Sequence, residues 1–129
     1  MNPFRLVSLV ALAYALAGCA ANELAVTRPA NAPTYAPTQV VEMLDRPPTR
    51  PYTEIGVIDA PGEPGALRTQ VIAQIRDKAA ALGADAVILQ DVSRVAPSSQ
   101  RLNPATGQYE STGGQLVPAY KGTAIKYRQ

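Results

Sequence analysis

Hydrophobic positions are spaced differently in successive stretches of this chain, and each spacing calls for a different kind of segment. Leu6-Val7-Ser8-Leu9-Val10-Ala11-Leu12-Ala13-Tyr14-Ala15-Leu16-Ala17 is an uncharged, mostly apolar run of twelve residues. Between residues 20 and 51 the pattern dissolves, and six of the twelve prolines lie there (Pro29, Pro33, Pro37, Pro47, Pro48 and Pro51) among Ala, Thr and Asn. Proline has no amide donor and biases its neighbour toward extended backbone, so neither a helix nor a central strand is expected. Val40-Val41-Glu42-Met43-Leu44 is the one apolar island, readable as a short strand, a docking piece or plain linker.

Regular periodicity begins at Tyr52. Tyr52-Thr53-Glu54-Ile55-Gly56-Val57-Ile58 is rich in β-branched and aromatic residues and predicts a strand. Asp59-Ala60-Pro61-Gly62-Glu63-Pro64-Gly65 is a breaker cluster, hence a loop. Over residues 66–82, Leu67, Val71, Ile75, Ala79 and Leu82 recur at three- and four-residue steps, which predicts a helix with one wet face, closed by Gly83. Ala86-Val87-Ile88-Leu89-Gln90-Asp91-Val92 reads as a strand whose centre is apolar on both faces. Residues 93–116 carry turn chemistry at Asn103-Pro104-Ala105-Thr106-Gly107 and at Gly113-Gly114. There, either Gln100-Arg101-Leu102 pairs with Gln108-Tyr109-Glu110 as a polar hairpin, or the stretch is a mobile loop. Residues 117–127 resume strand character, with Gly122 and Ala124 leaving room for close packing.

The expected fold class is therefore α/β (α+β), a small mixed sheet with one main helix in a β-α-β crossover, followed by a further strand. Strand, helix and strand in that order imply two parallel strands joined by a right-handed connection. A disordered, Pro-rich linker precedes this domain. The boundaries read as residues 1–18 for a signal peptide, 19–51 for a lipidated N-terminus and linker, and 52–129 for the folded domain. At ~3.1 Å per residue a polyproline-like linker of this length would reach on the order of 80–100 Å.

The chemistry of the first stretch is specific. Arg5 and the terminal amine precede the apolar run, which is too short for the roughly 20 residues that cross a bilayer. Leu16-Ala17-Gly18-Cys19 then fits the lipobox of bacterial lipoproteins, and Cys19 is the chain's single cysteine. That resemblance implies cleavage between Gly18 and Cys19, a thioether-linked diacylglyceryl group on Cys19 and acylation of the new amine. Each buried methylene contributes roughly 0.8 kcal/mol, so two or more acyl chains give stable attachment. Ala20 stands where an Asp in this family signals inner-membrane retention, which favours the outer membrane, or the cell membrane in an organism without one.

Composition removes alternatives. The sequence has no His, hence neither the usual general base nor the commonest metal ligand, and its formal charge is only +2, with no pull toward nucleic acid. No catalytic set and no metal site is expected, and no cofactor beyond the lipid on Cys19. Asp85, at the helix-to-strand turn, is expected to bond backbone amides. Asp59, Glu63 and Asp91 lack calcium-loop spacing, and Gly62-x-x-Gly65 reads as a connection rather than an anion cradle. Lys121, Lys126 and Arg128, joined by Arg94 and Arg101 if the loop folds back, give the last strand a basic character that either solvates an edge or meets an acidic partner, peptidoglycan carboxylates or lipid phosphates. Tyr120 and Tyr127 are expected to pack in the core and at its rim.

Three segments carry a family resemblance: Tyr52-Thr53-Glu54-Ile55-Gly56-Val57-Ile58, then Lys78-Ala79-Ala80-Ala81-Leu82-Gly83-Ala84-Asp85-Ala86-Val87-Ile88, then Tyr120-Lys121-Gly122-Thr123-Ala124-Ile125-Lys126-Tyr127. In this order, behind a lipobox, the folded half resembles the RcsF-like and YbjQ-like group of small α/β domains. The resemblance implies a compact sheet with one packed helix, hung from a membrane. RcsF-like members are outer-membrane lipoproteins that act in envelope stress sensing through protein contacts. This chain lacks the cysteines that brace that domain, and offers no soft ligand set for the metal binding attached to YbjQ-like domains. The expected function is a non-enzymatic, membrane-anchored, periplasm-facing lipoprotein whose domain binds an envelope protein. The alternative is a ligand- or cell-wall-binding module, monomeric or oligomeric, with a concave pocket.

Overall fold

The computed structural model describes residues 24–129, so Gly18 and Cys19 lie outside the described residues. In chain order the elements are β1 (Ala25–Thr27), β2 (Glu42–Leu44), β3 (Tyr52–Pro61), α1 (Arg68–Ala81), β4 (Ala86–Asp91), β5 (Arg94–Val95), β6 (Ser99–Leu102), β7 (Tyr109–Thr112), β8 (Leu116–Val117) and β9 (Ala119–Tyr127). Five strands form one mixed sheet in the order β1-β3-β9-β4-β2, antiparallel at every pair except β4 with β2. The fold is α/β, as the periodicity predicts. Strands β3 and β4 are parallel to each other, but β9 is inserted between them and pairs antiparallel with both.

The helix spans 14 residues and buries Val71, Ile75 and Ala79 against the sheet. Burying a Val or Ile side chain stabilises by roughly 1.5–3 kcal/mol, so this three-residue stripe seats the helix. Its approach is set by Gly122, where a Cβ would stand 2.8 Å from Ile75 Cγ2 and 2.9 Å from Val87 Cγ1. The small residues on β9 thus face the helix. No side chain caps the N-terminus at Leu67. The C-terminus is closed by the backbone instead: Gly83 adopts φ 79°, its amide donates to Ala80 O at 3.0 Å, and the Ala84 amide donates to Ala79 O at 3.0 Å. This is the paired bonding of a Schellman turn.

Asp85 follows that turn and ties four elements together. Its amide donates to Ile125 O (2.9 Å) and its carbonyl accepts from Glu42 N (3.0 Å). Its carboxylate accepts from Lys126 Nζ (2.7 Å) and from the Tyr127 amide (3.0 Å). Lys126 also donates to Gly83 O at 3.2 Å and lies 5.4 Å from the centre of the Tyr35 ring. The structural role expected of Asp85 holds, although the amide it accepts from lies on the last strand.

The linker expected over residues 20–51 is corrected from Leu24 onward, where the chain belongs to the folded unit. Its two ends are the two edge strands, β1 beside β3 and β2 beside β4. Between them the chain crosses the helix C-terminus, where the Thr38 amide donates to Ala80 O (2.9 Å) and its hydroxyl to Ala84 O (2.6 Å). Val41 is buried in the core. Prolines preclude strands only where an amide must donate to a ladder. Here they flank the strands, with β1 ending before Pro29 and β2 standing between Pro37 and Pro47. Within the apolar island at residues 40–44, Glu42–Leu44 is the second edge strand.

Candidate functional site

The paired strands place one end of the sheet in detail. Pro61 at the end of β3 stands opposite Ala119 at the start of β9, and Asp91 at the end of β4 stands opposite Tyr120. Ala25 pairs with Asp59, so the chain preceding β1 leaves the sheet at this same end. The loop 62–67 and the start of α1 follow directly from Pro61. The N-terminal exit, the loop, the helix start and the segment joining β4 to β9 therefore share one pole.

That segment is a long β-ribbon. The β4–β9 hairpin continues through β5–β8 into β6–β7 with no residue gained or lost in register, from Ala86↔Ile125 through Arg94↔Val117 to Leu102↔Tyr109. Between the ladders the Val92 amide donates to Ala119 O (2.8 Å) and the Ala96 amide to Gln115 O (2.9 Å). The tip is closed by Asn103, whose amide donates to Gln108 O at 2.8 Å and whose side chain accepts from the Ala105 amide at 2.9 Å. Of the two readings open for residues 93–116, the hairpin is the one found. All residues of β6 and β7 are exposed.

The arm is pinned at its root. The Asp91 carboxylate accepts from the Ser93 amide (2.9 Å) and pairs with Arg68 Nη2 (2.9 Å). Bonds from the Ser93 side chain, then from its amide, hold this carboxyl below the usual carboxylate range, with smaller help from Arg68 and Tyr120. The Ser93 hydroxyl in turn accepts from the Ala119 amide at 3.1 Å. Pro118 is fully buried at the root, and Gly62 lies so close to Pro118 O that a side chain there would collide with it.

Apolar exposure concentrates at this pole. Among the described residues the exposed large hydrophobics are Val40, Leu67, Val92, Val95, Leu102, Tyr109 and Leu116, and all but Val40 lie on the arm or at the helix start. Tyr109 is 72% exposed and Val95 64%, so both stand largely in solvent. On the ribbon they form two cross-strand pairs, Leu102↔Tyr109 and Val95↔Leu116. Two open clefts flank the loop. One of about 430 Å³ lies between Leu24, Glu63 and the helix residues Gln70 and Gln74. The other, about 490 Å³, separates Glu63 and Pro64 from Arg94 and Pro97 at the arm's base.

Several of the remaining sequence candidates are engaged in side-chain pairs. Asp59 pairs with Lys121 at 3.4 Å and Asp91 with Arg68, and no cluster of three metal-ligating side chains occurs among the described residues. Gly65 adopts φ 81°, so Gly62-x-x-Gly65 shapes the connection itself. Of the basic strip, Lys126 is the Asp85 clip and Arg128 Nε donates to Thr53 Oγ1 at 3.1 Å. Tyr120 is core, 6% exposed, whereas Tyr127 lies at the opposite pole, donating to Glu42 Oε2 (3.1 Å) beneath the Arg50 guanidinium. Sequence reasoning missed Val95, Leu102, Tyr109 and Leu116, although their placement at equal steps on either side of the Asn103–Gln108 turn was the available signal.

No helix among the described residues is long and apolar enough to cross a membrane. No family model matches this chain, and neither the curated proteins nor the solved structures contain a match to it.

Proposed function

We propose that this chain is a lipid-anchored protein of the bacterial envelope, without catalytic chemistry of its own, whose folded domain binds an envelope protein. The observation that carries this reading is Cys19: the chain's only cysteine closes Leu16-Ala17-Gly18-Cys19, behind a twelve-residue apolar run. The acyl chains on Cys19 are the membrane attachment, and Ala20 favours the outer membrane, facing the periplasm, or the cell membrane in an organism without an outer one. The carboxylates nearest to a chemical role, Asp59, Asp85 and Asp91, are engaged with Lys121, Lys126 and Arg68, which fits a binding domain better than an enzyme. Kinship with RcsF-like and YbjQ-like domains belongs to the same proposal, together with a role in envelope sensing or assembly.

A surface for the protein partner is available on the helix-free face of the sheet. Leu44, Ile88, Thr123 and Val57 form one cross-strand row there, each half-buried. Intact mass of the membrane-extracted protein tests the anchor. The expected mature chain starts at Cys19 and carries the acyl mass, and Cys19→Ala has neither that mass nor that cleavage. A wild-type chain without acyl mass refutes the reading.

A further inference from the structure

We infer that the β-arm is a membrane-contacting element, seated in the headgroup layer of the bilayer to which Cys19 is anchored. This inference rests on the lipid-anchor reading and adds a second contact to it. Its premise is the length of chain between anchor and fold. Only five residue steps separate Cys19 from Leu24, which span at most roughly 18 Å even fully extended. The folded unit is thereby held beside the bilayer, and the tethered pole is the one from which the arm leaves.

The arm is longer than that tether. From Asp91 to Leu102 the ribbon runs eleven residue steps, roughly 36 Å at strand rise. Leaving the pole that the tether keeps near the bilayer, a ribbon of that reach is long enough to meet its surface. Its side chains suit the encounter: Leu102, Tyr109, Val95 and Leu116 are exposed apolar or amphipathic groups, and Tyr favours the membrane–water boundary. Arg94 and Arg101 alternate with Val95 and Leu102 along the strand, matched to lipid phosphates, with Glu110 opposite Arg101 as the one acidic neighbour on those ladders. A two-stranded ribbon alone in water is marginal, and this one buries none of its β6 or β7 residues in the fold. Depth is bounded by the ribbon's unpaired backbone edges, which cannot enter hydrocarbon. The arm therefore lies in the headgroup layer.

The chain contains no Trp, so a single introduced indole reports its own surroundings. The full-length protein carrying Tyr109→Trp, lipidated in its host, is reconstituted into phosphatidylethanolamine–phosphatidylglycerol vesicles containing acyl-brominated lipid. An indole at headgroup depth is expected to shift to the blue and lose about half or more of its emission. Tyr52→Trp, at the opposite pole, is expected to show neither change. Intact mass and vesicle flotation are read on the same samples. An acylated, vesicle-bound Tyr109→Trp protein whose emission is unshifted and unquenched overturns the inference, leaves the anchor standing and assigns the arm to a protein partner. Equal quenching at both positions overturns it too, because the contact is then not the arm's. A protein without acyl mass overturns the anchor and the arm's placement together.

Discussion

Asp91 joins the fold to the arm through one side chain, and its ionisation is a measurable handle on that joint. Ser93 and Arg68 favour its charged form, so its folded pKa lies below the unfolded one. The unfolded chain then binds the proton more readily, and the stabilisation is fully present above about pH 4 and is lost as pH falls through the lowered folded value. The urea midpoint of Asp91→Asn is expected below that of the wild type by a constant gap between about pH 5 and pH 7, and that gap closes below about pH 4. A gap unchanged in acid refutes the assignment. Asp85 illustrates what is legible at this scale. Its place after a glycine-closed helix announced a backbone-binding carboxylate. Its partners, Lys126 and the Tyr127 amide, lie more than forty positions away and depend on β9 pairing with β4. A residue's role was readable where its bonds are local, and hidden where they follow from topology.

At the scale of elements, β3, α1 and β4 were legible because each buries a periodic face in a single core. Of the edge strands the first was not and the second only as one of three readings, since three-residue strands leave almost no periodicity and their prolines argue for linker. The arm was legible only as a choice of two forms, because cross-strand pairing without burial leaves a weak pattern. That same lack of burial predicts its energetics. Replacing residues 97–113 by an Asn-Gly turn, joined at the Ala96–Gly114 contact, removes no core side chain and shortens a loop. Unfolding stability in urea is expected to change by no more than about 1 kcal/mol. A larger loss means that the arm braces the domain, and its conspicuous exposure then has a structural cause.

For the molecule as a whole, the decisive difference from the sequence reading is where folding begins. A linker reaching to residue 51 predicts ready proteolysis across its whole length, whereas a fold beginning by Leu24 predicts protection of the crossing between β1 and β2. Limited proteolysis followed by mass analysis is expected to cut first near the arm's tip and to spare residues 34–44. Early cuts in that stretch refute the wrapped arrangement. For the membrane-anchored protein proposed above, wrapping has a further consequence. Molecules confined to a membrane plane meet one another far more often than in dilute solution, and exposed sheet edges are where such meetings become irreversible. Both borders of this sheet are three residues long and stop short of a proline. At those two borders a neighbouring copy finds a ladder of only three residues, too short to seed a shared sheet there.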